Sequence, residues 1–285
     1  MAVTLGIDVS QYQGSIDWAA VGSSSYRFAL ARMTIGRTAR DNLGRRNLAG
    51  MLGHVAVSGA YGVVGTAEPV EDGAKLLVDE IAAVADPAKV LVMLDAEDFS
   101  DGSHPTIGQV NRYAVELHGL LGRWPIAYVP GWWLDAHGYT ASGRELANCP
   151  WAPSHYIPAP WTEARLQASK PTNLRGFKSL AWLQYTDKAR VAGISGSVDA
   201  DCFYGDLNQL RARLLGQQED LSIMDAATKE YLDGKFAGLH NDIVVVLHGD
   251  ATHLQSIDSI YEHVTALEAK VDRVIQLLTP APPAP

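Results

Sequence analysis

The sequence predicts an α/β fold: an irregular β/α barrel of the TIM type, followed by a C-terminal helical, coiled-coil-like tail. Three observations lead there. Eight short apolar runs rich in β-formers recur over roughly the first 205 residues, with amphipathic stretches between them. That length and strand number suit a compact β/α barrel. The first run leads into DVSQYQG rather than the Gly-rich phosphate loop that usually follows the first strand of a doubly wound sheet, the competing arrangement. Finally, composition changes near Gly216–Glu219. Residues 219–285 hold eleven acidic and four basic side chains and no tryptophan, whereas all 7 tryptophans lie upstream in a body close to neutrality.

Taken in order, the strand candidates are TLGIDVS, YRFALARMTIG, AVSGAYGVVG, KVLVMLDAED, WPIAYVPGWW, CPWAPSHYI, SLAWLQYTD and SVDADCF. Near-continuous apolar strands of this kind fit a parallel sheet buried on both faces. The stretches EDGAKLLVDEIAAVA and TIGQVNRYAVELHGLLG repeat apolar residues at i, i+3 and i+4, and each should lay one helical face on the sheet. The resulting division is a barrel over 1–216, a helical tail over 217–279 and a Pro-rich, non-helical terminus over 280–285.

Acids at strand ends are the candidate chemistry. Side chains at i and i+2 of a strand share a face. Asp95 and Glu97 therefore sit together at the C-terminal end of VLVMLDAED, with Cα atoms about 6.5–7 Å apart from a rise near 3.3 Å per residue. Two carboxylates that close in a partly dry site cannot both ionise freely. A protonated acid beside an ionised one is the equipment of glycoside hydrolysis. A D-x-E triplet alone is common in polar loop starts. Here Asp8 closes the first strand and Asp199 opens the last, so adjacent first and last strands could bring both to the same mouth. Aromatic residues follow other strands: Tyr61, Tyr128, Trp132, Trp133, Trp151, Tyr156, Trp182 and Tyr185. Several of these should be core, since large aromatics bury well; the remainder would offer flat faces to sugar rings.

GIDVSQYQGSIDW, VLVMLDAED, AWLQYT and VDADCF, in this order, resemble glycoside hydrolase family 25, the muramidase-type lysozymes common among phage endolysins. The resemblance spans approximately residues 3–210, and its opening motif is the most specific part. It implies an irregular β/α barrel that cleaves the β-1,4 bond between N-acetylmuramic acid and N-acetylglucosamine in bacterial peptidoglycan. It also implies catalytic roles: Glu97 as general acid, Asp95 as stabiliser of developing positive charge or of the substrate acetamido group, and Asp8 and Asp199 as flanking acids. Tyr61, Tyr128, Trp151, Tyr156, Gln184 and Tyr185 are the expected substrate contacts. Two positions depart from the family pattern. Tyr61-Gly62-Val63 stands where the family often has Tyr-His-Phe, and Asp201 where it usually has Asn. A glycan-binding barrel without catalysis and a chitinase-like glycosidase are the alternatives. Retention of all four acids speaks against the first, and the absence of aspartates preceding the D-x-E against the second.

Other classes are disfavoured. A formal charge of -9 does not suit a nucleic-acid partner. No apolar run reaches the roughly 18 residues of a membrane span. The N-terminus lacks the basic flank and apolar core of a signal peptide, so synthesis in a cytoplasm, that of a phage-infected host for an endolysin, with action on the wall after release, is the expectation. No cofactor and no metal are expected. Phe99 stands where a calcium loop needs oxygen, and His248 and His253 read as solvated side chains. Cys149 and Cys202 read as ordinary buried thiols.

In the tail, Ile257, Ile260, Val264, Leu267, Val271, Val274 and Leu278 alternate spacings of 3 and 4. That is a narrow coiled-coil seam of three heptads, flanked by Glu262, Glu268, Lys270 and Arg273. Packing on the body could produce a similar stripe. Without tryptophans or repeats, and with an acidic balance that an anionic wall would repel, the tail is assigned to homo-oligomerisation rather than wall binding. Helices of this length are marginal without a partner. The full-length protein should be oligomeric in light scattering, and Val264→Asp with Val271→Asp should release monomers that still hydrolyse soluble substrate. A wild-type protein monomeric at micromolar concentration would overturn the assignment.

Overall fold

The computed structural model describes residues 2–215, so the predicted tail and Pro-rich terminus lie outside the described residues. Ten strands share one sheet: β1 (Thr4–Val9), β2 (Tyr26–Ile35), β3 (Ala39–Arg40), β4 (Val57–Val63), β5 (Leu91–Asp95), β6 (Ile126–Tyr128), β7 (Pro150–Ala152), β8 (Ser179–Leu180), β9 (Leu183–Ala189) and β10 (Val198–Phe203). Among the described residues, seven α-helices lie between or after them: α1 (Trp18–Gly22), α2 (Gly44–Met51), α3 (Glu71–Ala82), α4 (Ile107–Leu121), α5 (Gly131–Ala136), α6 (Glu163–Ala168) and α7 (Leu207–Leu215). Nine strands run side by side in the order β8-β7-β6-β5-β4-β2-β1-β10-β9, with β3 hairpinned onto β2.

Each apolar run of the sequence contains a strand, and the two long amphipathic stretches are α3 and α4. Thr106 and Gln109 form a reciprocal capping box at the start of α4, and Gly122, left-handed at φ 68°, ends it with its N–H on the His118 carbonyl. Ile107, Val110, Ala114 and Leu117 form the face that α4 buries. Two runs divide. SLAWLQYTD breaks into β8 and β9 at Ala181-Trp182, and WPIAYVPGWW stops being strand at Tyr128 because Pro130 precedes the turn into α5.

The expected TIM-like closure is corrected. β1, β2, β4, β5, β6, β7 and β8 pair in parallel, but β10 runs antiparallel to both β1 and β9, and the β3 hairpin runs antiparallel to β2. The sheet is a curled half-barrel. One bridge, Ser154 with Gln184, joins the edge strand β9 to the segment just after β7; there the Gln184 N–H donates to the Pro153 carbonyl and the His155 N–H to the Gln184 carbonyl. β9 and β10 are joined by a short turn with no helix, so nothing forces the last strand to run parallel.

Strand alternation sorts the core into two layers. One side of the sheet meets the helices through Ile7, Val9, Leu48, Leu77 and Leu117. The other encloses Phe28, Leu30, Leu91, Met93, Trp182 and Phe203, closed from below by Leu210 and Leu214 of α7. Gly6 belongs to this inner side: a Cβ there would lie 2.2 Å from the fully buried Phe28 ring. Cys149 and Cys202 are free, buried thiols, and burial pushes Cys202 up to about 12. No helix of the described residues is long and apolar enough to cross a membrane.

Candidate active site

The inner layer changes from apolar to acidic along its height. β1 carries Gly6 and then Asp8 inward, and β10, running the other way, carries Asp199 and then Asp201. The register pairs Asp8 with Asp199 and Gly6 with Asp201. This juxtaposition depends on the antiparallel strand. In a parallel one, the first residues of β10 would lie at the opposite end of β1. β5 ends in Asp95, and Glu97 follows two residues on. Together Asp8, Asp95, Glu97 and Asp199 line one cleft of about 270 Å³, with Tyr12, Arg32, Tyr61, Tyr128, Tyr156 and Gln184 on its walls.

Gln184 organises this cleft. It is buried, its Nε2 donates to Asp8 Oδ2 at 2.9 Å, and its Oε1 accepts from the Tyr128 hydroxyl at 2.9 Å and the Tyr156 hydroxyl at 3.0 Å. Arg32 supplies the cation. Its Nε donates to Asp41 Oδ2 at 2.9 Å, and the Asp41 carboxylate is itself fixed by the N–H groups of Gln11 and Leu43. The guanidinium also lies 5.2 Å from the centre of the Tyr12 ring, a side chain that is 81% exposed.

Burial is the main force on the acids. It holds Asp8, Asp95 and Asp201 well above the usual carboxylate range, and each is pushed further by its acidic neighbours. Asp199 is lifted to about 6 by burial and the charges of Asp187 and Glu97. Glu97 is raised by burial and by Asp98, against the pull of Arg32. Asp95 Oδ1 finds no hydrogen-bond partner among the described residues. Within the pair, Asp95 is buried while Glu97 is half-buried and faces the opening. The site can therefore hold protons on several of its acids, and Glu97, the less buried member of the pair, is the one placed to pass a proton to a ligand atom.

Two expected contacts do not join the cleft. Trp151 points to the helix side, where its Nε1 donates to the Val129 carbonyl at 2.9 Å and its ring stacks on Phe177. Tyr185 follows Gln184 and so faces the opposite way, packing edge-on against Trp161. Trp133 and Trp182 are core. Sequence reasoning did not single out Arg32, Asp41 or Tyr12, although a lone arginine inside the apolar run FALARMTI is a visible signal. A second hollow of about 500 Å³ lies at the far end of the barrel, among Lys170, Phe203, Tyr204 and Arg213. It is lined by cations and apolar surface rather than acids and offers no proton donor of this kind.

The sequence profile of the glycosyl hydrolases family 25 matches residues 7–194, a span holding Asp8, Asp95 and Glu97. The chain belongs to that family. It is 28% identical to lysozyme M1 of Streptomyces globisporus over 220 residues, 73% of this chain and 70% of that protein. The structure resembles the bacterial lysozyme of Streptomyces coelicolor, with a TM-score of 0.62 and 26% identity, covering 76% of this chain and 99% of that one. The catalytic domain of endolysin ply40 from bacteriophage P40 of Listeria monocytogenes shares the fold at 17% identity and a TM-score of 0.58, over 76% of this chain and 98% of that domain. This family 25 chain is thus a glycoside hydrolase of the lysozyme type.

Asp201 gives this family 25 site a measurable cost. Neither of its oxygens has a hydrogen-bond partner among the described residues. Its folded-state pKa lies above the unfolded value of about 3.9, so the folded state holds the proton more tightly. The associated stability is complete below pH 4 and is lost as pH rises towards the folded pKa. Asp201→Asn removes that loss. Its melting temperature should exceed that of the wild type at pH 7.5. The difference should vanish below pH 4; a gain equal at both pH values would assign it to packing instead.

Proposed function

We propose that this chain hydrolyses bacterial peptidoglycan as an N-acetylmuramidase, cutting the β-1,4 bond between N-acetylmuramic acid and N-acetylglucosamine. The peptidoglycan substrate rests on the family and on the lysozyme relatives. The single observation that carries the chemistry is the crowd of raised carboxylates in one cleft, with Glu97 the half-buried acid of the D-x-E pair facing its opening. In this scheme Glu97 delivers its proton to the glycosidic oxygen as the bond to the anomeric carbon breaks. Asp95, once ionised, offsets the positive charge that develops on the sugar ring. Asp8, steadied by Gln184, and Asp199 keep the local charge balance that leaves a proton on the pair. Tyr12 and Tyr156, exposed at the rim, supply surfaces on which neighbouring sugars stack.

We further propose a role as a phage endolysin, with the wall reached after release from an infected cell. The support is the resemblance of the opening motif, and the fold shared with ply40 is consistent with it.

Glu97→Gln preserves shape but cannot donate the proton. General acid catalysis contributes about 10²–10⁴-fold, and hydrolysis of purified cell wall should fall by that factor with an unchanged melting curve. Asp95→Asn should be comparably damaging. Mass spectrometry of the wild-type digest should show N-acetylmuramic acid at the new reducing ends. Near-normal turnover by folded Glu97→Gln would remove Glu97 from the role, and reducing N-acetylglucosamine ends would refute the bond assignment.

A further inference from the structure

Beside the cleft, on the other side of the chain from Glu97, a second group of side chains converges that hydrolysis does not use. The loop after β5 folds back on itself. The Phe99 N–H donates to the Ser103 carbonyl at 2.8 Å and the Gly102 N–H to the Phe99 carbonyl at 2.9 Å, with Gly102 in the left-handed region at φ 81°. Asp101 Oδ1 locks the turn by accepting from both the N–H and the hydroxyl of Ser103. This reversal returns His104 to the side of Asp98. His137, at the C-terminal cap of α5, arrives from a different part of the chain and lies against the buried Trp133 ring at 4.4 Å.

The donor atoms of Asp98, His104 and His137 all lie within 4.8 Å of one another. His137 Nε2 is 3.1 Å from Asp98 Oδ1, His104 Nδ1 is 3.9 Å from the same oxygen, and the two imidazole rings are 4.0 Å apart. We propose that these three residues bind a divalent transition-metal ion of the zinc class, which clamps the β5 loop to α5 at the rim of the cleft.

Donor chemistry selects the ion. Two imidazoles and one carboxylate suit zinc, nickel or copper, whereas calcium and magnesium require oxygen. Geometry is close to what such an ion needs. Bonds of about 2.0–2.1 Å in a tetrahedron place ligand atoms roughly 3.3–3.4 Å apart. The Asp98–His137 pair is already at that spacing. His104 must close by about half an ångström towards Asp98, a small rotation for a side chain that is 39% exposed. Three protein ligands leave the fourth position to water. The sequence pattern does not announce the site, because its ligands follow no short spacing motif and meet only through a loop reversal and a helix end.

The test is calorimetric titration of the full-length, EDTA-treated protein with zinc chloride at pH 7.5. Parallel titrations use His104→Ala, a change at an exposed position, and His137→Gln, which keeps volume against Trp133. Removing even an outer partner of a metal ligand typically costs about 10–100-fold in affinity, so each substitution should weaken one equivalent of zinc binding by at least tenfold. Calcium should not compete for it. Melting curves without metal, matching the wild type, establish that the variants are folded; a variant that is not folded is replaced by Asp98→Asn, with the same expectation. Absence of zinc binding in the wild type, or binding undiminished in the folded variants and so carried by histidines elsewhere, would overturn the proposal.

Discussion

The constraint on which the rest of this structure depends is electrostatic: among the described residues, five carboxyl groups share the inside of one half-barrel with one facing arginine, Arg32. Water cannot solvate them fully there, and they cannot all be ionised at short range in a medium of low effective dielectric. Protons must therefore stay on some of them near neutral pH. Arg32, held by Asp41, moderates that pressure without removing it. Asp8, Asp95, Glu97, Asp199 and Asp201 differ mainly in depth, and depth decides which of them can hand a proton to something outside. Glu97 and Asp199 are the shallower members, and Asp201 is sealed off beneath.

Backbone direction makes that crowding possible. Antiparallel entry of β10 sets its opening residues beside the closing residues of β1. The short β9–β10 turn, which leaves no room for a crossover helix, is thus as much a part of the site as the acids themselves. The inner layer below is a platform of Phe28, Trp182 and Phe203, with Phe28 and Trp182 ring centres 5.1 Å apart. Gly6 leaves space for the Phe28 ring directly under Asp8. Gln184 ties β9 to the segment after β7 through its backbone and holds Asp8, Tyr128 and Tyr156 through its side chain. The bridge between β9 and the segment after β7 and the placement of the acid are accomplished by one residue.

Much of this is legible in the sequence, and the boundary has physical reasons. Apolar runs mark strands because burial on both faces leaves few polar positions, and the i, i+2 rule puts Asp95 and Glu97 on one side. The inner layer's end is legible for the same reason. Strand direction is not, since a run such as SVDADCF reads alike either way; the expectation of a parallel barrel fails at β10. Alternation also separates Gln184 from Tyr185, and Trp151 from the cleft, but only once the starting phase of each strand is known. Arg32 is visible as a charge in an apolar strand, yet its partner Asp41 lies past a hairpin that carries no strong pattern. The Asp98, His104 and His137 group forms only in three dimensions.

The central claim is that the crowded mouth keeps a proton on the acid that faces the substrate. Carbon-13 NMR titration of the Glu97 side-chain carboxyl, assigned by comparison with Glu97→Gln, measures this in the working protein. The midpoint should lie above the ordinary glutamate value of about 4.3, because burial and the Asp98 carboxylate outweigh the pull of Arg32. A midpoint at or below the ordinary value would contradict it.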